Sequence, residues 1–120
     1  MFQPKFMVIF YQELTERQPV NEWIKKLDRH EQETITQDLK TLQLRWPMGL
    51  PLVKALGSGF WELRSTFKTR IARSIFIVIQ GHIIILHSFI KKTQKIPPNE
   101  MAIARKRLKA LNDGRGTAYA

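Results

Sequence analysis

Arginine and lysine are the residues in this sequence that could do chemistry, and their spacing along three apolar stretches suggests which kind. Glu62 and Arg64 alternate with Trp61 and Leu63, so on an extended strand the charged pair shares one face and the apolar pair the core face. Arg73 has the parity of Ile75 and Ile77. Lys91 has the parity of His87 and Phe89, and Lys92 falls on the opposite face. Strict alternation therefore predicts that only one of the two lysines points at a reacting phosphate, unless the strand has ended before Thr93. Guanidinium and ammonium groups placed in this way stabilise charge that develops on phosphoryl oxygens, and arginine does so through two parallel donors. Cleavage of RNA by its own 2′-hydroxyl attacking the adjacent phosphate needs little else, because no water has to be activated. Lys54 is a candidate proton acceptor if neighbouring cations depress its pKa, and His87 is another. Each residue also has a plainer reading. Glu62 and Arg64 would make an ordinary surface ion pair of little worth, Arg73 a cation buried beside a partner, Lys54 a solvated lysine and His87 a packing residue.

Other chemistries find less support. Cysteine is absent, which removes disulfides, thiolate metal sites and a cysteine nucleophile. His82 and His87 lie an odd number of residues apart on one expected strand, which sends them to opposite faces and argues against a shared metal. No Gly-x-Ser-x-Gly elbow, dinucleotide fingerprint or phosphate-binding loop occurs, so no cofactor is expected, and Gly57-Ser58-Gly59 reads as a turn between strands.

The formal net charge of +10 is carried entirely by residues 51–120, since the first 50 residues hold seven basic and seven acidic side chains. Such an excess attracts polyanions, and a nucleic-acid partner is the expectation. Lys68 and Arg70 in an expected hairpin turn, Lys92 and Lys95 after the last strand, and Arg105, Lys106, Arg107 and Lys109 on the last helix are candidate RNA-backbone contacts. A helix so rich in basic residues is otherwise simply soluble.

The elements that must position these groups can be read from periodicity. A chain of 120 residues is expected to form one domain over 1–120. No signal peptide is read at Met1 to Lys5, and the cytoplasm is the expected compartment. Phe6 to Tyr11 reads as a strand. Val20, Trp23, Ile24 and Leu27 form one face of a short helix that Pro19 could start. Asp28 and Glu31 make a capping-box pattern for a second helix from Arg29, with an apolar stripe of Ile35, Leu39, Leu42 and Trp46, stopped at Pro47 and Gly49. Phe60 to Phe67, Ile71 to Ile79 and Ile83 to Ile90 read as antiparallel strands. Interruption by Gln80, Gly81 and the two histidines argues that Ile75 to Ile90 is a hairpin, not a membrane span. Met101, Ala104, Leu108 and Leu111 mark a helix after Pro98 that Gly114 ends. The expected class is α+β: a small antiparallel sheet with two N-terminal helices on one face, a C-terminal basic helix close by, and the other face free for a ligand.

The string Val53-Lys54-Ala55-Leu56-Gly57-Ser58-Gly59-Phe60-Trp61-Glu62-Leu63-Arg64, the later Ala72-Arg73, and Leu86-His87-Ser88-Phe89-Ile90-Lys91-Lys92-Thr93-Gln94-Lys95-Ile96-Pro97 resemble the phage-derived, HigB-like branch of the RelE/ParE toxin superfamily. The resemblance covers nearly the whole chain. It implies a RelE-like fold and the toxin of a type II toxin-antitoxin pair, acting as an endoribonuclease (an mRNA interferase) in the ribosomal A site. It also supports catalytic roles for Arg64, Arg73 and Lys91, with Lys92 serving the backbone or the antitoxin. Its partners would be the ribosome, messenger RNA and a cognate antitoxin, such as a small helix-turn-helix protein, and no membrane. Two positions depart from the family pattern. Ala72 replaces an aromatic residue, and Met101 lies where some relatives use a tyrosine.

Two rivals remain at this level. A ParE-like toxin would share the fold and target DNA gyrase. A non-catalytic basic module would use the same face to bind RNA or an acidic protein, and would tolerate Arg64→Lys, whereas a bidentate catalytic site would not.

Overall fold

The computed structural model describes residues 5–117, so the Met1 to Pro4 stretch read for a signal peptide lies outside the described residues. The elements run β1 (Met7–Phe10), β2 (Gln12–Glu13), α1 (Pro19–Lys25), α2 (Arg29–Arg45), β3 (Val53–Gly57), β4 (Phe60–Thr66), β5 (Ile71–Ile79), β6 (His82–Ile90), α3 (Pro98–Asn112) and β7 (Gly116–Thr117). The class is α+β, and the three long strands and three helices fall close to where periodicity places them.

Five strands form one sheet in the order β1-β6-β5-β4-β3. From β3 to β6 each strand pairs antiparallel with its neighbour in sequence. Gln80 and Gly81 join β5 to β6 with φ of 48° and 78°, the positive values that let a two-residue turn match the twist of its strands. β1 corrects the all-antiparallel expectation. It lies parallel on β6, with Met7 opposite His82 and Phe10 opposite Ile85, so the sheet is mixed. No tight turn dictates its direction, because two helices and four strands separate it from β6, and a long crossover permits parallel pairing.

Helices α1 and α2 cover one face, where Ile35, Leu39 and Leu42 pack with Leu63, Phe76, Ile83 and Ile85. Burying a side chain of this size contributes about 1.5–3 kcal/mol. Trp46, at the end of the α2 stripe, meets Trp61 edge-on with ring centroids 4.9 Å apart. The Asp28 side chain accepts a hydrogen bond from Glu31 N at 2.8 Å, which caps α2 where the sequence pattern predicts.

The opposite face, which the sequence led us to expect free for a ligand, is covered. Fully buried Ala104 lets α3 lie close on it, and Met101, Leu108 and Leu111 pack over Ile75, Ile77, Ile84, Leu86 and Phe89. The apolar stripe of a basic helix needs cover of its own, and this sheet face supplies it. At the β3–β4 edge the helix leaves a cavity.

A bulge also changes which β6 residues face α3. Ile75 pairs with His87 and Phe76 with Ile85, so Leu86 is an extra residue. Leu86 packs into the α3-side cluster, while His87 contacts α3 residues and stacks on Phe89. His82 lines a cavity with Ile84 and Leu111 on the same side. The two histidines therefore share a face, contrary to strict alternation. Among the described residues no helix is long and apolar enough to cross a membrane.

Candidate nucleic-acid interface

Strand register builds two rows of side chains on the α3 face of the sheet. Lys54, Glu62, Ile75 and His87 stand side by side across β3 to β6, and Arg64, Arg73 and Phe89 form the adjacent row. Glu62 is the corner that both arginines share. Its side chain is 1% exposed, and Oε1 accepts from Arg64 Nε at 2.7 Å while Oε2 lies 3.3 Å from Arg73 Nε. The second contact is an ion pair without hydrogen-bond alignment, and Arg73 Nε has no hydrogen-bond partner. Arg73 is itself 1% exposed, and its Nη2 donates to the Gln94 carbonyl at 2.7 Å. A buried guanidinium is costly unless its donors are matched, so this one is held but under-satisfied. The sequence allowed either a buried or a reactive Arg73, and here burial beside a partner coincides with access to a cavity.

That cavity has a volume of about 240 Å³ and is lined by Lys54, Glu62, Arg73, Lys95, Met101 and Arg105, among others. Four cations meet one carboxylate there, and that carboxylate is also committed to Arg64. Such a surplus in a partly enclosed space suits an anion with several oxygens.

A second cleft of about 540 Å³ lies at the end of the β4–β5 hairpin, lined by Lys68, Arg70, Lys91, Lys92, Thr93 and Gln94 with neighbouring residues. β6 ends at Ile90, although Lys91 N still donates to Ile71 O at 2.7 Å. Beyond Ile90 alternation lapses, and both lysines line this outer cleft instead of the cavity around Arg73. Gln94 lines both spaces and so stands between them. Arg70 is engaged elsewhere: its Nε and Nη2 donate to the Glu31 carboxylate at 2.7 and 2.8 Å, pinning the hairpin to α2. This bidentate contact holds the Glu31 carboxyl below the usual carboxylate range.

His87 belongs to a third group. Its Nε2 lies 2.9 Å from Glu100 Oε1, and its Nδ1 lies 3.4 Å from an Arg107 nitrogen. An arginine can only donate, so Nδ1 accepts and Nε2 carries the proton given to Glu100. Burial pushes the His87 pKa down, with Glu100 opposing and Arg107 reinforcing the shift. Arg107 also donates to Leu86 O at 2.7 Å and stands 5.8 Å from the centre of the Tyr11 ring. Lys54 and His87 are three strands apart, about 14 Å at roughly 4.8 Å per strand, so the two proposed proton acceptors do not converge.

Of the remaining candidates on α3, Lys106 is exposed, and Lys109 Nζ lies 3.1 Å from Asp113. Ala72 is fully buried in the cluster on the α1–α2 side, so its departure from the family pattern removes nothing from the cavity. Sequence reasoning missed Gln94 as the acceptor for Arg73 and Glu100 as the partner of His87, neither of which carries a local signal. Among the described residues, no three His, Asp or Glu side chains cluster to hold a metal ion.

The family model described as Phage derived protein Gp49-like (DUF891) matches residues 22–109, a span that includes Lys54, Glu62, Arg64, Arg73, Lys95 and Arg105. A search of curated proteins finds no match.

Proposed function

The chain belongs to the phage-derived Gp49-like family, which is associated with RelE-type toxins, and we propose that it is a HigB-like toxin that cleaves messenger RNA on the ribosome without a metal. The observation that carries this reading is the under-satisfied, buried Arg73 opening onto a cavity where Lys54, Lys95 and Arg105 supply further positive charge.

In the proposed reaction the 2′-oxygen attacks the neighbouring phosphorus and the bond to the 5′-oxygen breaks. The products are a 2′,3′-cyclic phosphate and a 5′-hydroxyl. Arg73 and Arg64 stabilise charge on the non-bridging oxygens, where preorganised donors matter most. Lys54, once deprotonated to its neutral amine, is the candidate acceptor for the 2′-hydroxyl proton, and the Lys95 ammonium is the candidate donor of the proton that the departing 5′-oxygen takes up, with Arg105 offsetting charge beside it. His87 is a poor alternative because both ring nitrogens already have partners. The ribosome would align the substrate, which is worth about 7–11 kcal/mol when the geometry is right. Lys68, Lys91 and Lys92 in the outer cleft would hold the flanking backbone, and a cognate antitoxin would neutralise the protein.

The test is to express wild type, Arg64→Ala and Arg73→Lys at matched levels and map cuts by primer extension. Expected are cuts that persist in chelator, require ribosomes, leave a cyclic or 3′-phosphate, and fade in both variants. Cleavage unchanged when the attacking 2′-hydroxyl is replaced by hydrogen, or abolished by chelator, would overturn the mechanism.

A further inference from the structure

We infer that Glu62 is the positioning residue of this site, a buried carboxylate that orients Arg73 at the cavity and holds Arg64 beside it. The inference rests on the reading that the cavity cleaves RNA.

A carboxylate at the centre of an anion-binding site looks counterproductive, since its charge repels the phosphate. Its geometry offers an explanation. Oε1 takes the Nε edge of Arg64 at 2.7 Å, and Oε2 lies against the Nε edge of Arg73 at 3.3 Å. Engaging both guanidiniums at Nε leaves their outer nitrogens for other acceptors, and Arg73 Nη2 already reaches the Gln94 carbonyl on the cavity wall. Arg64 and Arg73 are also direct partners in register on adjacent strands. Two cations placed side by side repel each other and would splay apart; an anion shared between them holds them together. Glu62 and Arg73 are each 1% exposed, while Arg64 is 26% exposed, so the orientation of the carboxylate and of Arg73 is fixed by packing and not by solvent. An ion pair serving stability alone does not require one carboxylate to split its oxygens between two arginines beside a cavity.

Substitution separates charge from geometry. Glutamine is nearly isosteric but has one acceptor oxygen and one donor nitrogen, so it can hold one arginine and must turn a donor toward the other. Aspartate keeps the charge and is one methylene shorter. The experiment measures single-turnover cleavage at saturating programmed ribosomes for wild type, Glu62→Gln, Glu62→Asp and Glu62→Ala. Rates are normalised to the folded fraction from thermal unfolding, and the Nε–H resonances of Arg64 and Arg73 are followed by NMR. Expected is a loss of about 10²-fold in rate for Glu62→Gln, the scale of a misplacement near 1 Å, with ribosome affinity changed less than threefold and partial rescue by Glu62→Asp. A slowly exchanging Arg64 Nε–H signal, from its hydrogen bond to Glu62, is expected in wild type, and both Nε–H resonances are expected to shift in Glu62→Gln. A Glu62→Gln rate per folded molecule within twofold of wild type would show that the carboxylate only stabilises the fold. If wild type itself cuts nothing on ribosomes, the functional reading fails. The NMR signals then decide the positioning role, which is lost if the Arg64 Nε–H stays protected and the Arg73 Nε–H unshifted in Glu62→Ala.

Discussion

Two groups of charged residues lie under the same helix on the same sheet face, and they have opposite characters. Around His87, one arginine and one carboxylate from α3 close on a neutral imidazole, and Arg107 also serves the Leu86 carbonyl and the Tyr11 ring. Both imidazole nitrogens have partners there, and Arg107 Nη1 has two acceptors. Toward β3, with Lys54 about 14 Å from His87 across the strands, Lys54, Arg73, Lys95 and Arg105 face a cavity with Glu62 as the one carboxylate among them, and Arg73 Nε lacks a hydrogen-bond partner. Residue type alone does not separate the groups, since both are built from basic residues on a strand and on α3. The surplus of donors over acceptors does, and it is the cavity that has donors to offer a phosphate.

Arg73→Lys tests this contrast most severely. It keeps the charge and removes the fork, so cleavage per folded molecule is expected to drop by about 10² to 10³. His87→Gln is expected to leave that rate within twofold. Equal losses in the two variants, measured by primer extension at matched folded protein, would erase the distinction drawn here.

A smaller effect is expected in the outer cleft. Replacing Lys91 and Lys92 with alanine should weaken ribosome binding and lower the slope of log K against log salt by roughly 0.7–0.9 for each phosphate that is no longer neutralised. Single-turnover cleavage at saturation should hardly change. Titrations at several salt concentrations measure the slope, and a slope equal to that of wild type would remove these lysines from the binding surface.

These contrasts also show what local sequence carries and what it does not. The faces of Trp61, Glu62, Leu63 and Arg64 are legible because alternation is a property of one strand, and the Asp28 cap because it spans three residues. The direction of β1 is not legible, since it depends on which edge a long crossover reaches. The bulge at Leu86 is invisible to a period of two, yet it brings His82 and His87 to one face. The lapse of alternation after Ile90 likewise separates Lys91 from Arg73. Arg70 reads as a free cation until the fold brings Glu31, 39 positions away, onto it. Chemistry-bearing residue types could be named from sequence, but their partners, which decide whether each is spent or available, are long-range.

On the neutralised side, Glu100→Ala should act on stability. It leaves the part-buried His87 Nε2–H without its acceptor, an omission that costs at most about 1–3 kcal/mol, the figure for a fully buried polar group. Thermal unfolding is expected to show the loss with cleavage per folded molecule unchanged. A variant as stable as wild type would mean that water satisfies the imidazole.

The smallest effect is the pH response of the same cluster, and its sign follows from the His87 shift. Burial lowers the folded-state pKa below the ordinary histidine value of about 6.5. Just below that value the unfolded chain binds a proton that the folded chain does not. Stability contributed by neutral His87 is therefore complete above about pH 6.5 and declines as pH falls toward the folded-state pKa, where protonation of the native state ends the dependence. Glu100 works against the shift, because a protonated imidazole would gain an ion pair with it, so the net effect is modest. Melting curves at pH 7.5 and 5.5 should show a larger drop for wild type than for His87→Gln, which has no proton to take up. The same drop in both proteins would assign the acid sensitivity to other groups. Asp38 is not one of them, because burial pushes its carboxyl upward, and a raised carboxyl favours the folded state as it protonates.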